Sequence, residues 1–150
     1  MENVLIPSGA NVMISRINKL TPATQANWGK MKVAQMLAHC CVTYEMLFDD
    51  IHPKPNAIKK FFIKLFIKGV VVGPKPYKKN SPTAPEFKIA GEKDFEKEKS
   101  RLIAYMAKVT ALGENHFEGL ESHSFGPLTK TEWNTMFAKH LDHHLTQFGV

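Results

Sequence analysis

Arginine is nearly missing, the cysteines do not form a separated pair, and no apolar run is long enough to cross a membrane. Each shortage closes off a class of function. Arg16 and Arg101 are the only arginines in 150 residues, although the formal net charge is +6. Bidentate recognition of phosphates and guanine edges leans on the planar guanidinium, so the excess charge reads as solvated lysine and nucleic acid is set aside as a partner. Cys40 and Cys41 are adjacent. Neighbouring Cα atoms lie about 3.8 Å apart, closer than the usual disulfide span, so the two thiols are expected to stay free in a reducing cytoplasm. The start, Met1-Glu2-Asn3-Val4-Leu5-Ile6-Pro7, is acidic and its apolar run is too short for a signal-peptide core, so export is not expected. No low-complexity tract interrupts the chain, which excludes collagen-like, mucin-like and long disordered architectures.

What is present is the composition of an ordinary globular chain, 43% hydrophobic and 23% charged, with a length that favours one domain over residues 1–150. A chain of this size buries enough surface to fold without disulfides or a structural metal, so any metal site is free to be functional. Apolar residues recur at three and four over residues 9–20, and Thr21-Pro22 closes that segment. Residues 31–50 place Val33, Met36, Leu37, Cys40, Tyr44, Leu47 and Phe48 on one stripe, a long core helix ended by His52-Pro53-Lys54-Pro55. Residues 92–112 form a third long helix before Gly113. Thr129-Lys130-Thr131-Glu132 matches a capping box, so the last helix starts there and runs to about Phe148. Residues 70–90 hold five prolines and glycines and read as an extended connection, and residues 114–128 read as a loop. The expected class is all-α: a four-helix bundle with a long crossover between its second and third helices.

The segment 56–69 is helical in period but apolar around most of its circumference, with Lys59, Lys60, Lys64 and Lys68 among Ile58, Phe61, Phe62, Ile63, Leu65, Phe66 and Ile67. Its length and four lysines exclude a membrane span. A basic amphipathic surface helix is one reading; the favoured one is a crossover helix buried against the domain or against a second copy, which makes a homodimer the expected assembly.

The chemistry should lie on the last helix. Trp133, Phe137, His140, Leu141, His144, Leu145 and Phe148 follow spacings of three and four, which puts His140 and His144 inside the stripe that faces the core. Two imidazoles at i and i+4 stand one turn apart on the same side and can turn toward one cation. A hydrogen-bonded core pair is the plain alternative. His39, in the middle of the second helix, is the natural third ligand, because sites in helical bundles are built from facing helices. His143 looks more polar and is assigned an orienting or exposed role. His52, His116 and His123 fall in loops and are expected to be solvated, with His123 able to swing toward a cleft. Cys40 reads as a small buried core residue, and Gln35 and Gln147 as groups that orient a ligand or a substrate.

Trp28-Gly29-Lys30-Met31, Gln35-Met36-Leu37-Ala38-His39, His123-Ser124-Phe125-Gly126-Pro127-Leu128 and His140-Leu141-Asp142-His143-His144-Leu145-Thr146-Gln147-Phe148 together resemble the DinB-like superfamily, and more narrowly a branch of it described as a domain of unknown function. The resemblance implies a four-helix bundle that binds a divalent metal through one histidine of helix two and an H-x-x-x-H pair of helix four, here His39, His140 and His144. It also implies thiol S-transferase or small-molecule hydrolase chemistry and a dimer. Zinc, nickel or iron suits three imidazoles with an open position. Such an ion generates a nucleophile at neutral pH from water or a low-molecular-weight thiol. No glutamate stands beside these histidines as in H-E-x-x-H, so proteolysis is not expected. The rival class is a non-catalytic module that binds a small ligand, a protein or a membrane surface.

Overall fold

Pro7 occupies the first turn of α1 (Pro7–Asn18), where its missing N–H costs nothing. The computed structural model describes residues 1–150, and continues with α2 (Val33–Phe48), α3 (Ala57–Phe66), α4 (Lys68–Val72), α5 (Phe95–Leu112) and α6 (Lys130–Gln147). The chain is therefore mostly helical, as its periodicity requires. Side-chain caps set three of the starts: Asn56 accepts from the Lys59 N–H at α3, Asp94 accepts from the Lys97 N–H at α5, and the expected box forms at α6, with Thr129 accepting from the Glu132 N–H and Glu132 from the Thr129 N–H.

Two connections depart from expectation. The 114–128 loop contains a 3-10 turn (Glu114–Phe117) and a two-stranded antiparallel hairpin, β1 (Leu120–Ser122) with β2 (Gly126–Leu128), in the register Leu120 to Leu128. Three-residue strands are too short to print an alternating pattern on a sequence. The connection expected over 70–90 begins inside α4, which runs to Val72, and is broken by a turn at Lys79-Asn80 and a 3-10 turn at Pro85–Phe87.

The core lies where α2, α5, α6 and α1 meet. Tyr44 of α2 stacks between Phe137 of α6 at 4.8 Å and Tyr105 of α5 at 5.7 Å, and Trp133 stacks on Phe137 at 5.5 Å. Cys40 and Cys41 are buried in this core, as free thiols whose pKa burial raises, to about 12 for Cys41. Behind it, the buried Glu45 carboxylate is held by Arg101 Nη2 at 2.8 Å and by His52 Nε2 at 2.7 Å. His52 is thus not the solvated loop residue the sequence suggests, because a buried carboxylate needs partners and recruits it.

The 56–69 segment is not buried against its own domain, which removes that half of the favoured reading. None of α3 is buried, and Ile58, Phe61, Phe62, Leu65 and Phe66 are each more than half exposed. Only Ile63 packs on the core from this helix, assisted by ion pairs from Lys60 to Glu121 at 2.5 Å and from Lys68 to Glu132 at 2.8 Å. The arm is fastened further along by Lys139 of α6, which is 4% exposed. Its ammonium donates to the carbonyls of Val70 at 2.8 Å, Lys75 at 3.2 Å and Gly73, and lies 4.7 Å from the Tyr77 ring centroid. Three carbonyl dipoles and a ring face replace the water that the charge has lost, although burial still lowers its pKa. No helix is long and apolar enough to cross a membrane.

Candidate metal centre

His140 and His144 stand one turn apart on α6, and α2 brings His39 between them. Ring centroids are 4.5 Å apart for His39 and His144, 4.9 Å for His140 and His144, and 5.0 Å for His39 and His140. One nitrogen from each of the three falls within 4.8 Å of the others, close enough to hold one cation. His39 and His144 are 5% and 7% exposed, and His140 is half-buried.

Each ring has its second nitrogen tied to a partner, and the partners determine which nitrogen faces inward. The Phe87 carbonyl can only accept, so His39 carries its proton on Nδ1 and donates at 2.8 Å. Gln147 Oε1 accepts from His144 Nδ1 at 2.8 Å. The orientation of that amide is fixed independently, because its Nε2 donates to the Trp28 carbonyl at 2.7 Å. Gly29 follows with φ +84°, and a Cβ there would stand 2.7 Å from Gln147 Nε2, so both the backbone and the amide require glycine at this position. His140 Nδ1 meets the Thr43 hydroxyl at 3.1 Å, and a hydroxyl can accept or donate.

This arrangement leaves Nε2 of His39 and Nε2 of His144 as lone pairs directed away from their partners. His140 Nε2 approaches His39 Nε2 to 3.0 Å. Two lone pairs do not sit at that separation unaided; a shared proton or a shared cation must lie between them. Nitrogens bound to one tetrahedral zinc at about 2.0 to 2.1 Å are themselves about 3.3 Å apart, so this pair need only part by a few tenths of an ångström to accept a cation. The Thr43 hydroxyl serves both, donating to His140 Nδ1 when a proton is shared and accepting from it when Nε2 is a ligand.

Electrostatics favour the neutral ligand form. Burial lowers the pKa of His39, takes His140 well below its ordinary value and brings His144 down to about 3, and the neighbouring imidazoles oppose further charging. A cation can therefore bind without net release of protons, the one proton of His140 moving from Nε2 to Nδ1 where the Thr43 hydroxyl accepts it. Phe87 closes one side, its ring 5.2 Å from His39 and 5.8 Å from His140.

Of the other sequence candidates, His143 stays off the cluster: its half-buried ring lies against Trp28 at 5.9 Å, Tyr77 at 5.6 Å and His144 at 5.0 Å. Gln147 does orient a histidine. Gln35 does not, since its amide is spent on the Lys32 N–H and the Gly91 carbonyl. His123 donates or accepts at Ser124 Oγ and faces the His52 carbonyl, and His116 is exposed against Phe117. Thr43 and Phe87 were not singled out from sequence. Thr43, one turn after His39, was legible as a neighbour on the same face; a backbone carbonyl such as that of Phe87 has no residue signature.

Comparison with known proteins places residues 4–149 within one family. The chain belongs to DUF1569, described as a protein of unknown function. No curated protein and no solved structure matches it.

Proposed function

We propose, from three imidazoles converging from two facing helices, that His39, His140 and His144 hold a divalent metal, zinc, nickel or iron, in a metal-dependent transferase or hydrolase of small molecules. The observation that carries the reading is the convergence of one nitrogen from each of three imidazoles within 4.8 Å, with the outer nitrogen of every ring already engaged by a partner. The long helices α1, α2, α5 and α6, with the crossover between α2 and α5, are read as a DinB-like four-helix bundle forming a single domain. When bound, the ion supplies Lewis acidity and lowers the pKa of a coordinated water or low-molecular-weight thiol toward neutrality.

The chain's own groups do the remaining work. Phe87, Thr43 and Gln147 fix ring orientation, so the three Nε2 atoms are organised before a ligand arrives. Neither buried cysteine reaches the cluster, so a thiol must come from the substrate side. The Phe87 ring and the extended crossover exclude water from one flank. That same closure supports a second reading, a non-catalytic module that holds the ion or a small ligand without turnover.

The test is metal content of untagged protein, repeated on His39→Ala, His140→Ala and His144→Ala. One equivalent in the wild type, lost in each variant, supports the site; failure to load any divalent metal removes it. Incubation of loaded protein with electrophiles and a panel of small thiols, and with ester and amide substrates, then separates the readings: conjugation or hydrolysis supports an enzyme, and saturable uptake without product supports the binding module.

A further inference from the structure

The positive charge of this chain is concentrated in one stretch. Residues 51–85 contain eight lysines and no acidic residue, a formal +8 against +6 for the whole chain, so everything outside that stretch is net negative. The same stretch carries the uncovered apolar helix α3. At 100° per residue, Ile58, Phe61, Phe62, Leu65 and Phe66 span an arc of about 140° on one side. All five are more than half exposed. Ile63 and the paired Lys60 lie on the other side and fasten the helix to the domain.

The remaining two lysines decide what the face is for. Lys59 and Lys64 make no ion pair with any carboxylate, and they fall at the two edges of the apolar arc. Flexible cationic side chains flanking an aromatic and aliphatic face are placed to reach lipid headgroups while the rings enter the acyl boundary. A second copy of this chain suits the face poorly. Packing α3 on α3 brings the same lysines of both copies together, with no acid on the helix to meet them. We infer that α3 docks the protein onto an anionic lipid surface, lying in the interface with Phe61, Phe62, Leu65 and Phe66 inserted and Lys59 and Lys64 at the headgroups.

The helix contributes nothing to the core through this face, so its variants fold, and circular dichroism and an unchanged unfolding midpoint confirm that they do. Flotation of the full chain uses phosphatidylcholine vesicles with about one-third phosphatidylglycerol, and phosphatidylcholine alone as control. Wild type floats with the anionic vesicles, is left behind by neutral ones, and is released as salt rises. Lys59→Gln with Lys64→Gln weakens partitioning roughly 30-fold, at about fivefold per lysine near a charged surface. Phe61→Ser with Phe66→Ser abolishes it. Absence of flotation, or equal flotation with neutral vesicles, overturns the inference. So does a dimer in light scattering that the Phe61→Ser, Phe66→Ser chain loses while no vesicle binding is seen, since the face then belongs to a second copy.

Discussion

Helices α3 and α6 are built from similar materials, phenylalanine and lysine set among aliphatic residues, and they end in opposite environments. In α6, Phe137 and Trp133 are 1% and 2% exposed, and even Lys139 is buried. In α3, Phe61 and Phe66 are 62% and 65% exposed. Periodicity states which side chains share a face; whether that face is covered depends on what the rest of the chain brings to it. For α6 it brings α1, α2 and α4, and for α3 chiefly α4, a hairpin carboxylate and one isoleucine contact.

Acid separates the two regions most sharply. An imidazole held neutral in the folded chain binds fewer protons than the unfolded chain, so stability is present above pH 6.5 and is lost as pH falls toward the folded pKa. For His144, with its folded pKa near 3, the loss is about 1.4 kcal/mol per pH unit, and His39 and His140 are displaced in the same direction. Denaturant midpoints of metal-free protein should fall steeply from pH 6.5 to 5. A flat profile would show that the cluster is wet and that the contrast with α3 is false.

Truncating an aromatic ring should give the next largest difference. Phe137→Ala should cost about 3 to 5 kcal/mol by chemical denaturation, because it empties a packed site between Tyr44 and Trp133. Gln147→Ala should leave the fold in place but weaken metal affinity about 10- to 100-fold by competition titration, since His144 loses the acceptor that fixes its ring. Affinity unchanged in that variant would mean that His144 needs no such partner. Phe62→Ser in α3 should change stability by no more than about 0.5 kcal/mol, the smallest effect of the four. A larger loss would mean that α3 is covered after all.

Much of this was legible in advance, and the gaps have a common cause. The four long helices lie within about three residues of where apolar spacing, the Thr129 cap and Gly113 put them, and the Asp94 cap that starts α5 was not read. His39, His140 and His144 were legible because an i,i+4 pair inside an apolar stripe constrains its own geometry, and a bundle must supply the third ring from a facing helix. Gln147, one turn past His144, was legible for the same local reason. The unread partners are non-local or made of backbone: the Phe87 carbonyl on the crossover, the Trp28 carbonyl behind Gln147, and the three carbonyls around Lys139. Gln35 was misassigned because shared helical phase cannot show that a side chain is already engaged in capping its own helix.

Lys139 and His140 are consecutive residues, so the hook that clasps the 70–75 strap and a ring of the histidine trio hang from the same peptide unit. Ile67 ends α3 and begins α4, which leaves no slack between the outer arm and that clasp. The arm is a bracket, not a tether. Whatever surface receives α3 sets the height and tilt at which the trio stands above it, and so the direction from which a small molecule approaches.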